Sequence, residues 1–313
     1  MSRIHEALKR AEQEKATAAT GQKSEEQAER ATADQKTESE SASPKILPPS
    51  IVTPAKTESL PQTLRVEDFR TKCRKPGWKP DPSFLVFSNS NPLIPGPEQF
   101  RTLRSRLYRI RESQPLRTVL ISSAVPAEGK TIVATNLAHA MVRQHGCRVL
   151  LIDADLRAPR VHTLLGAPSN PGLADYLQGG ATEFDIIQRG NEEGFFFVPA
   201  GAHVTHPSEL ISSSRMKEFL ERVKPAFDWI LIDSSPVLPV ADATVLGGMS
   251  DGVLLVVRAN STPADTCRKA CREFQDSQIL GVVLNSADKS SEYGSYYAAG
   301  AYGPAPTQKN PKK

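Results

Sequence analysis

The chain has 313 residues and a formal net charge of +4 at pH 7, and its Lys and Arg residues are dispersed along the sequence. No extended surface for a specific nucleic acid is therefore indicated, although a weak contact with anionic lipid stays open. Apolar runs such as 253–257 are far shorter than the roughly 18 residues that a membrane span needs, and the charged N-terminus lacks the apolar core of a signal peptide. We therefore expect a cytoplasmic protein.

The first predicted element is a short amphipathic helix at residues 1–15. Ile4, Leu8 and Ala11 fall on one stripe of this helix. A free helix of that length is marginal in water, so we expect it to dock on a surface. The sequence leaves open whether that surface belongs to this protein or to a partner.

A long segment of low hydrophobicity follows. Residues 16–43 contain no Leu, Ile, Val, Met, Phe, Tyr or Trp, and the chain then stays rich in proline to about residue 97. Such a composition cannot offset the entropy that is lost on ordering, so it predicts a disordered, Pro-rich linker over 16–95. Trp78, Phe84 and Phe87 could pack on the domain that follows.

Beyond residue 96 the pattern becomes that of an α/β protein. Short apolar, β-branched runs alternate with helical segments, which predicts a mainly parallel sheet flanked by helices on both faces. We expect this domain to span 96–288 and a flexible Ser-, Gly-, Ala- and Tyr-rich tail to span 289–313. The predicted strands are 118–121, 148–152, 195–198, 229–232, 253–257 and 280–284, and the predicted helices include 132–143, 215–223 and 264–274.

The first predicted strand runs into Ser-Ser-Ala-Val-Pro-Ala-Glu-Gly-Lys-Thr at 122–131 and then into a helix. This is the strand–turn–helix context of a P-loop, in which backbone N–H groups and the helix N-terminus hold phosphate. We expect Lys130 to reach the outer phosphates and Thr131 to bind Mg²⁺. Ala124 replaces the first glycine of the usual motif, and the alternative is an ordinary helix start. The Gly-Lys-Thr sequence at a strand end favours nucleotide binding.

Two further predicted strands end in acidic residues. Asp153 and Asp155 close the second strand and are followed by Arg157, and Asp233 closes a later one. Because the carboxyl ends of parallel strands form the ligand-binding edge of an open sheet, we expect these side chains near the P-loop. Asp233 has the place of a Walker B acid, which binds Mg²⁺ directly or through water. A single acid at a strand end is often only a helix cap, but three acids after a P-loop favour a nucleotide site.

The four cysteines fit a reducing compartment. Cys267 and Cys271 lie four residues apart on a predicted helix, which is the spacing of half a metal site. No second pair at ligand spacing accompanies them, so we favour small core-facing residues over a metal site.

Several segments together are typical of one family. They are Pro-Ala-Glu-Gly-Lys-Thr at 126–131, Ile-Asp-Ala-Asp-Leu-Arg at 152–157, Pro-Gly-Leu-Ala-Asp-Tyr-Leu at 171–177, Pro-Ser-Glu-Leu at 207–210 and Ile-Asp-Ser-Ser-Pro-Val-Leu at 232–238. Over about 96–302 the chain resembles the bacterial tyrosine kinases of capsule and exopolysaccharide synthesis, whose ATP-binding domain is related to the septum-positioning and partition ATPases. Its first twelve residues resemble stand-alone members found with exosortase-linked polysaccharide systems.

The resemblance implies a protein-tyrosine autokinase with a P-loop NTPase fold that uses ATP and Mg²⁺. It implies catalytic roles for Lys130, Asp153 and Asp155, with Asp155 orienting a tyrosine hydroxyl and taking its proton. The implied Mg²⁺ ligands are Thr131, Asp153 and Asp233. The implied nucleotide-binding residues are Pro126, Ala127, Glu128, Gly129, Lys130, Thr131, Ile132 and Asn285, the last at the position where relatives contact adenine.

The chain departs from the family pattern at two positions. The family usually has Gly where this chain has Ala127 and Pro where it has Ser235. Alanine is acceptable at the first position only if the backbone there stays at negative φ. Neither change removes a catalytic group, though both could alter the rate.

Two features distinguish the kinases from their ATPase relatives. The partition-type ATPases have a signature lysine where this chain has Val125. The kinases have Glu-x-x-Arg-x-x-Arg ahead of the first strand, which assembles a ring, and Glu98, Arg101 and Arg104 match it. These side chains share a helix face, and the alternative is a solvated charged surface.

Four of the six tyrosines, Tyr293, Tyr296, Tyr297 and Tyr302, lie in the tail. We expect them to be phosphate acceptors in trans, the alternative being a sticky low-complexity tail. The expected partners are other copies of the chain in a ring, a separate transmembrane polysaccharide co-polymerase or activator that recruits it to the inner face of the plasma membrane, and a tyrosine phosphatase. The alternative function is a non-kinase ATPase switch of the partition or septum-positioning type.

Overall fold

A computed structural model describes residues 64–87 and 96–287. The predicted helix at 1–15, the predicted linker up to residue 63 and the predicted tail at 289–313 lie outside these ranges. The four expected acceptors, Tyr293, Tyr296, Tyr297 and Tyr302, therefore also lie outside the described residues.

The described residues form a mainly parallel sheet. Its strands are β1 (Thr118–Ser123), β2 (Val149–Asp153), β3 (Gln188–Arg189), β4 (Phe195–Val198), β5 (Trp229–Asp233), β6 (Gly252–Arg258) and β7 (Ile279–Asn285). Their order across the sheet is β3-β4-β2-β5-β1-β6-β7. Adjacent strands are parallel except for β3 and β4. β1, β2, β4 and β5 are buried along their whole length, which explains their continuous apolar character.

Helices cover both faces of this sheet. They are α1 (Val66–Lys72), α2 (Gly96–Ser113), α3 (Lys130–Val142), α4 (Val161–Leu165), α5 (Leu173–Leu177), α6 (Glu183–Ile186), α7 (Pro207–Ile211), α8 (Ser214–Val223), α9 (Asp242–Gly248) and α10 (Ala264–Glu273), with a 3₁₀ turn at Lys224–Ala226. One apolar core packs α2 and α3 on the sheet, and the other packs α8, α9 and α10 on the opposite face. None of the helices in the described ranges has the length and apolar character that a membrane span needs.

The predicted α/β fold and its mainly parallel sheet are confirmed. Each predicted strand corresponds to an observed one, and the predicted helices at 132–143, 215–223 and 264–274 correspond to α3, α8 and α10. The sequence did not predict β3, because two residues are too short for a periodic signal. This strand pairs antiparallel with β4.

The expected linker boundary at residue 95 is wrong for residues 64–87. Phe69 of α1 is fully buried, and Trp78 packs edge-on against Phe195 with ring centroids 5.3 Å apart. Further along, the Asn136 amide on α3 donates to Phe84 O and accepts from Val86 N, at 2.8 and 2.9 Å. The mean composition of this segment predicted disorder, but a few widely spaced anchors order it on the domain.

Candidate active site

The sheet places the P-loop and the acidic residues at one edge. The P-loop follows the end of β1, and Asp153 and Asp233 are register partners at the ends of the adjacent strands β2 and β5. Asp155 lies two residues beyond β2. The structure therefore brings together Lys130, Asp153, Asp155 and Asp233, as the strand endings predicted.

Gly129 is the residue at which the loop turns into α3. Its φ is 92°, in the left-handed region, where a side chain is costly. An ideal Cβ on Gly129 would also lie 2.0 Å from Asn285 Nδ2, so a side chain here would displace the Asn285 amide from the loop. Both observations explain why glycine precedes the lysine.

Ala127 also adopts a left-handed conformation, with φ of 65°. The condition for an unstrained alanine, a negative φ, is therefore not met. A non-glycine residue in this region costs about 1–2 kcal/mol. The residue is exposed, so the strain is local to the backbone of the loop.

The Glu128 side chain points into the protein. Its Oε2 accepts from Val125 N at 2.8 Å, and its Oε1 accepts from Thr262 Oγ1 and, at 3.3 Å, from Arg258 N. These bonds tie the P-loop to the end of β6 and the residues after it. The Glu128 carboxylate therefore stabilises the conformation of the P-loop. Thr262 helps to hold this carboxylate in place, a role that no sequence motif indicated.

Lys130 lies among three carboxylates. Its Nζ donates to Asp155 Oδ2 at 2.8 Å and to Thr131 Oγ1 at 3.3 Å, and it is 3.7 Å from Asp233 Oδ1. Burial opposes the charge on Lys130, but Asp233 and Asp155 outweigh it and raise the pKa of the amine. The lysine is therefore protonated and held within the site.

The two strand-end acids are both fully buried. Burial raises the pKa of Asp153 well above its ordinary value, and the nearby Asp233 carboxylate adds to this shift. Burial also raises the pKa of Asp233, to about 6, although Lys130 opposes the shift. A buried pair of like charges stores unfavourable electrostatic energy that a bound cation would relieve.

The two acids differ in how their oxygens are used. Asp153 accepts from Asp155 N at 3.3 Å and from Val161 N at 3.1 Å. Asp233, by contrast, accepts no hydrogen bond from the backbone of the described residues; its buried oxygens lie beside the Lys130 amine and the Thr131 hydroxyl, and both oppose the rise in its pKa. Within the described ranges, no three His, Cys, Asp or Glu side chains form a group able to hold a metal ion. A divalent cation here would also need oxygens from Thr131 and a phosphate ligand, as Mg²⁺ commonly takes.

Asp155 is held from two sides. Its Oδ2 receives the hydrogen bond from Lys130, and its Oδ1 accepts from Ala158 N at 3.1 Å. The Asp155 side chain is buried beside the P-loop lysine. A carboxylate fixed in this way can accept a proton from a hydroxyl group beside a bound phosphate.

Asn285 lies at the end of β7 and contacts the P-loop. Its Nδ2 donates to Glu128 O at 2.9 Å. The chain therefore leaves the sheet directly beside the phosphate-binding loop. Among the other expected nucleotide-binding residues, Pro126 is exposed, and Thr131 and Ile132 are partly buried at the start of α3.

The expected ring triplet lies on α2, away from the acids. The exposed Arg101 and Glu98 side chains form an ion pair at 3.0 Å. Arg104 is partly buried and donates to Ala140 O, near the end of α3, at 2.7 Å. Glu98 and Arg101 are thus exposed at the surface, where a partner could contact them, whereas Arg104 already has a role within the fold.

Cys267 and Cys271 on α10 are partly buried against the apolar core. Burial raises the pKa of Cys267, and the neighbouring Cys271 adds to the shift. This favours the neutral thiol over the thiolate that metals bind.

Comparison with known proteins gives a consistent result. A family described as "AAA domain" matches residues 117–266. The tyrosine-protein kinase YwqD of Bacillus subtilis is 36% identical over 215 residues, which are 67% of this chain and 90% of that protein. The succinoglycan biosynthesis transport protein ExoP of Rhizobium meliloti is 34% identical over 204 residues, 64% of this chain but only 26% of that protein.

A solved structure shows the same likeness in three dimensions. The kinase domain of the Escherichia coli tyrosine kinase ETK has a TM-score of 0.59 and 31% identity, and the match covers 66% of this chain and 82% of that one. The chain thus spans most of the Bacillus relative and about a quarter of the longer Rhizobium one.

Proposed function

Because this chain belongs to the bacterial tyrosine-protein kinase family, we propose that it transfers the γ-phosphate of ATP to tyrosine hydroxyls, those of its own C-terminal tail among them. The observation that carries this proposal is the position of Lys130. Its amine lies 2.8 Å from Asp155 and 3.7 Å from Asp233 at the end of a P-loop.

The P-loop would bind the phosphates of ATP. Its backbone N–H groups and the start of α3 favour negative charge, and the Lys130 amine adds a positive charge next to the transferred group. Phosphoryl transfer depends mainly on positioning and charge neutralisation, so these groups provide most of the catalysis.

The residues present fit a Mg²⁺ ion. Asp233 offers two buried carboxylate oxygens without a backbone hydrogen-bond donor, and the Thr131 hydroxyl lies beside them, 3.3 Å from the Lys130 amine. Bound Mg²⁺ would neutralise charge on the phosphates. Asp233 is the better-supported ligand, because Asp153 already accepts two backbone hydrogen bonds and would mainly contribute charge.

Asp155 would orient the tyrosine and accept its proton. When Lys130 turns toward phosphate, Asp155 Oδ2 loses its present donor and can accept from a hydroxyl. Tyrosine titrates near pH 10 in solution, so a carboxylate is a sufficient base if the proton moves late. The Ala158 N–H would keep Asp155 in place during this exchange.

The tail could reach either its own site or that of a neighbour. It begins just after Asn285, which contacts the P-loop. Eight to twelve extended residues span up to about 26 to 40 Å, so reach alone does not decide between the two. The Glu98, Arg101 and Arg104 match favours a ring and therefore transfer in trans, since a bound neighbour raises the local concentration of acceptor.

The cellular role that we propose is control of polysaccharide synthesis or export. Its support is the likeness to the succinoglycan biosynthesis transport protein. In this proposal the kinase works in the cytoplasm at the inner face of the plasma membrane, where a separate transmembrane activator recruits it and a tyrosine phosphatase reverses the modification.

The test is incubation of the purified chain with ATP and Mg²⁺, followed by mass spectrometry for phosphotyrosine. Wild-type protein should gain phosphotyrosine, and EDTA should prevent this. Lys130→Met should lower the rate by at least about 100-fold, because it removes the charge beside the transferred group. Lys217→Met, a change at an exposed lysine on α8, is the matched control and should be fully active. ATP hydrolysis without phosphotyrosine would instead indicate a non-kinase switch.

A further inference from the structure

A closed set of hydrogen bonds lies beside the proposed catalytic acids. Arg157 Nε donates to Asp242 Oδ2 at 2.8 Å, and Arg157 Nη2 donates to Ser208 Oγ, also at 2.8 Å. Ser208 Oγ in turn donates to Asp242 Oδ1. Each of the three side chains is thus bonded to the other two, and they come from the loop after β2, from α7 and from the first turn of α9.

The segment after β2 that contains Arg157 also holds Asp153, at the end of that strand, and Asp155, two residues beyond it. Its backbone donates to Asp155 Oδ1 through Ala158 N and to Asp153 Oδ2 through Val161 N. Arg157 lies between Asp155 and these two donors in the sequence. The position of the loop backbone therefore fixes the direction in which both carboxylates point.

The hydrogen bonds that join Arg157, Ser208 and Asp242 hold the Arg157 guanidinium in one orientation. The Asp242 side chain is only 3% exposed, whereas that of Arg157 is 39% exposed. A buried carboxylate is costly unless it is paired, so Asp242 forms a fixed anchor for the guanidinium. A planar guanidinium directs two N–H groups at two acceptors in one geometry, which a lysine amine cannot reproduce.

From this geometry we infer that Arg157 is a positioning residue for phosphoryl transfer, fixing the loop after β2 so that Asp155 meets the acceptor hydroxyl. Arg157 does not touch the phosphates or the acceptor in this role. Its effect passes through the loop backbone to Asp155. The inference rests on the proposed kinase activity, because it assigns Asp155 the task of orienting tyrosine.

The experiment compares Arg157→Gln, Arg157→Lys and wild type in kcat, KM for ATP and equilibrium affinity for a fluorescent ATP analogue with Mg²⁺. Arg157→Gln should lower kcat by about 10- to 100-fold, the usual effect of a small misplacement of a reacting group. Nucleotide affinity should change by less than about threefold, since the P-loop is not altered. Arg157→Lys should restore only part of kcat. Arg160→Gln, an exposed arginine in the same loop, is the matched control and should resemble wild type.

Two further readouts separate positioning from simple stability. Amide hydrogen exchange over 154–161 should be faster in Arg157→Gln than in Arg160→Gln, whether or not the protein is a kinase. Adding Arg157→Gln to Asp155→Asn should slow transfer no further, because both changes act on one group. If Arg157→Gln does not fold, Ser208→Ala removes two of the three bonds but keeps the Arg157–Asp242 pair, and it should give a smaller fall in kcat.

Wild-type kcat in a folded Arg157→Gln protein would overturn the inference, as would a loss confined to the melting temperature or to nucleotide affinity. Absence of phosphotyrosine in the wild type would instead overturn the proposed function. The hydrogen-exchange comparison would still report on the loop in that case, so the two failures are distinguishable.

Discussion

Asp153 and Asp233 are paired in register at the ends of two neighbouring parallel strands, so two fully buried carboxylates lie side by side beneath the P-loop. Lys130 provides positive charge close to them, and its Nζ lies 3.7 Å from Asp233. The site is thus arranged around an excess of buried negative charge. Such an excess favours binding of cations and explains why the lysine is held among these carboxylates.

Asp155→Asn should separate binding from chemistry. An amide oxygen can still accept from Lys130, so nucleotide affinity should stay within a few-fold of wild type. The amide cannot take a proton, so we expect transfer to fall by about 100- to 10,000-fold, the usual range for loss of a general base. Single-turnover kinetics with labelled ATP would measure both quantities, and wild-type transfer would exclude Asp155 as the base.

A mixture of a chain without catalytic activity and a chain without tail acceptors should show whether transfer occurs in trans. One chain carries Lys130→Met and keeps its tyrosines, and the other keeps Lys130 and has Phe at 293, 296, 297 and 302. We expect phosphate to appear on the Lys130→Met chain, because a neighbour's active site can reach its tail. Tryptic mass spectrometry would locate the phosphate. Unmodified tail tyrosines in active wild-type protein would exclude the tail as acceptor, and failure of the mixture alone would indicate transfer in cis.

Changing Glu98, Arg101 and Arg104 to Ala together should shift the protein from assembly toward monomer in sedimentation velocity, because a ring contact depends on one patch meeting a different one. The structure suggests testing Glu98 and Arg101 as a pair as well, since Arg104 also bonds to α3 and its loss should cost about 1 kcal/mol of stability. Arg106→Ala with Arg109→Ala, at exposed positions of the same helix, is the control. If the wild type assembles and all variants give the same sedimentation profile as the wild type, the three side chains form only a solvated charged surface.

Ala127→Gly should stabilise the protein. Glycine removes the cost of the left-handed backbone but also increases the entropy of the unfolded chain. The net increase in the free energy of unfolding is about 0.5–1 kcal/mol, which corresponds to a rise in Tm of roughly 1–4 °C for a domain of this size. Differential scanning calorimetry would measure it. Ala202→Gly, at an exposed loop position without a left-handed φ, should destabilise the protein instead.

The stability contributed by Asp251 should depend on pH. Burial alone would raise its pKa, but hydrogen bonds from Thr118 N, Lys224 Nζ and Arg117 N outweigh burial and lower it below 3.8. The stabilisation is therefore present above pH 3.8 and is lost as pH falls through the lower, folded-state pKa. Asp251→Asn should lower the free energy of unfolding by about 2 kcal/mol at pH 7, and this difference should shrink below about pH 3.8.

Urea unfolding at several pH values would measure this difference in the free energy of unfolding, with Asp276→Asn, at an exposed position, as the control. A difference independent of pH would contradict the assigned ionisation.

The fold and the acidic site could be predicted because both depend on local patterns. Continuous apolar runs predicted the strands, and an acid directly after such a run must lie at the carboxyl edge of the sheet. Lys130, Asp153, Asp155 and Asp233 were therefore brought together correctly from their sequence positions alone.

Contacts between distant residues could not be predicted in this way. Thr262 bonds to Glu128 across 134 residues, and Asp242 bonds to Arg157 across 85, and neither pair belongs to one periodic pattern. The φ of Ala127 stayed open in the sequence for a related reason, because an alanine itself gives no signal of positive φ. Composition averaged over residues 44–97 likewise concealed the anchor Phe69, although the expectation that Trp78 could pack on the domain agrees with its burial.

The packing of residues 64–87 determines where a shortened version of this protein can begin. A recombinant version that starts at residue 96, the boundary that composition suggests, would lack Trp78. The ring of Phe195 on β4, against which Trp78 packs, would then be exposed to solvent. This version would also leave the Asn136 amide on the P-loop helix without the backbone partners at Phe84 and Val86. Exposed aromatic surface of this kind promotes aggregation. Expression that begins near residue 64 preserves these contacts and is the appropriate starting point for crystallisation and for kinetic work on the isolated domain.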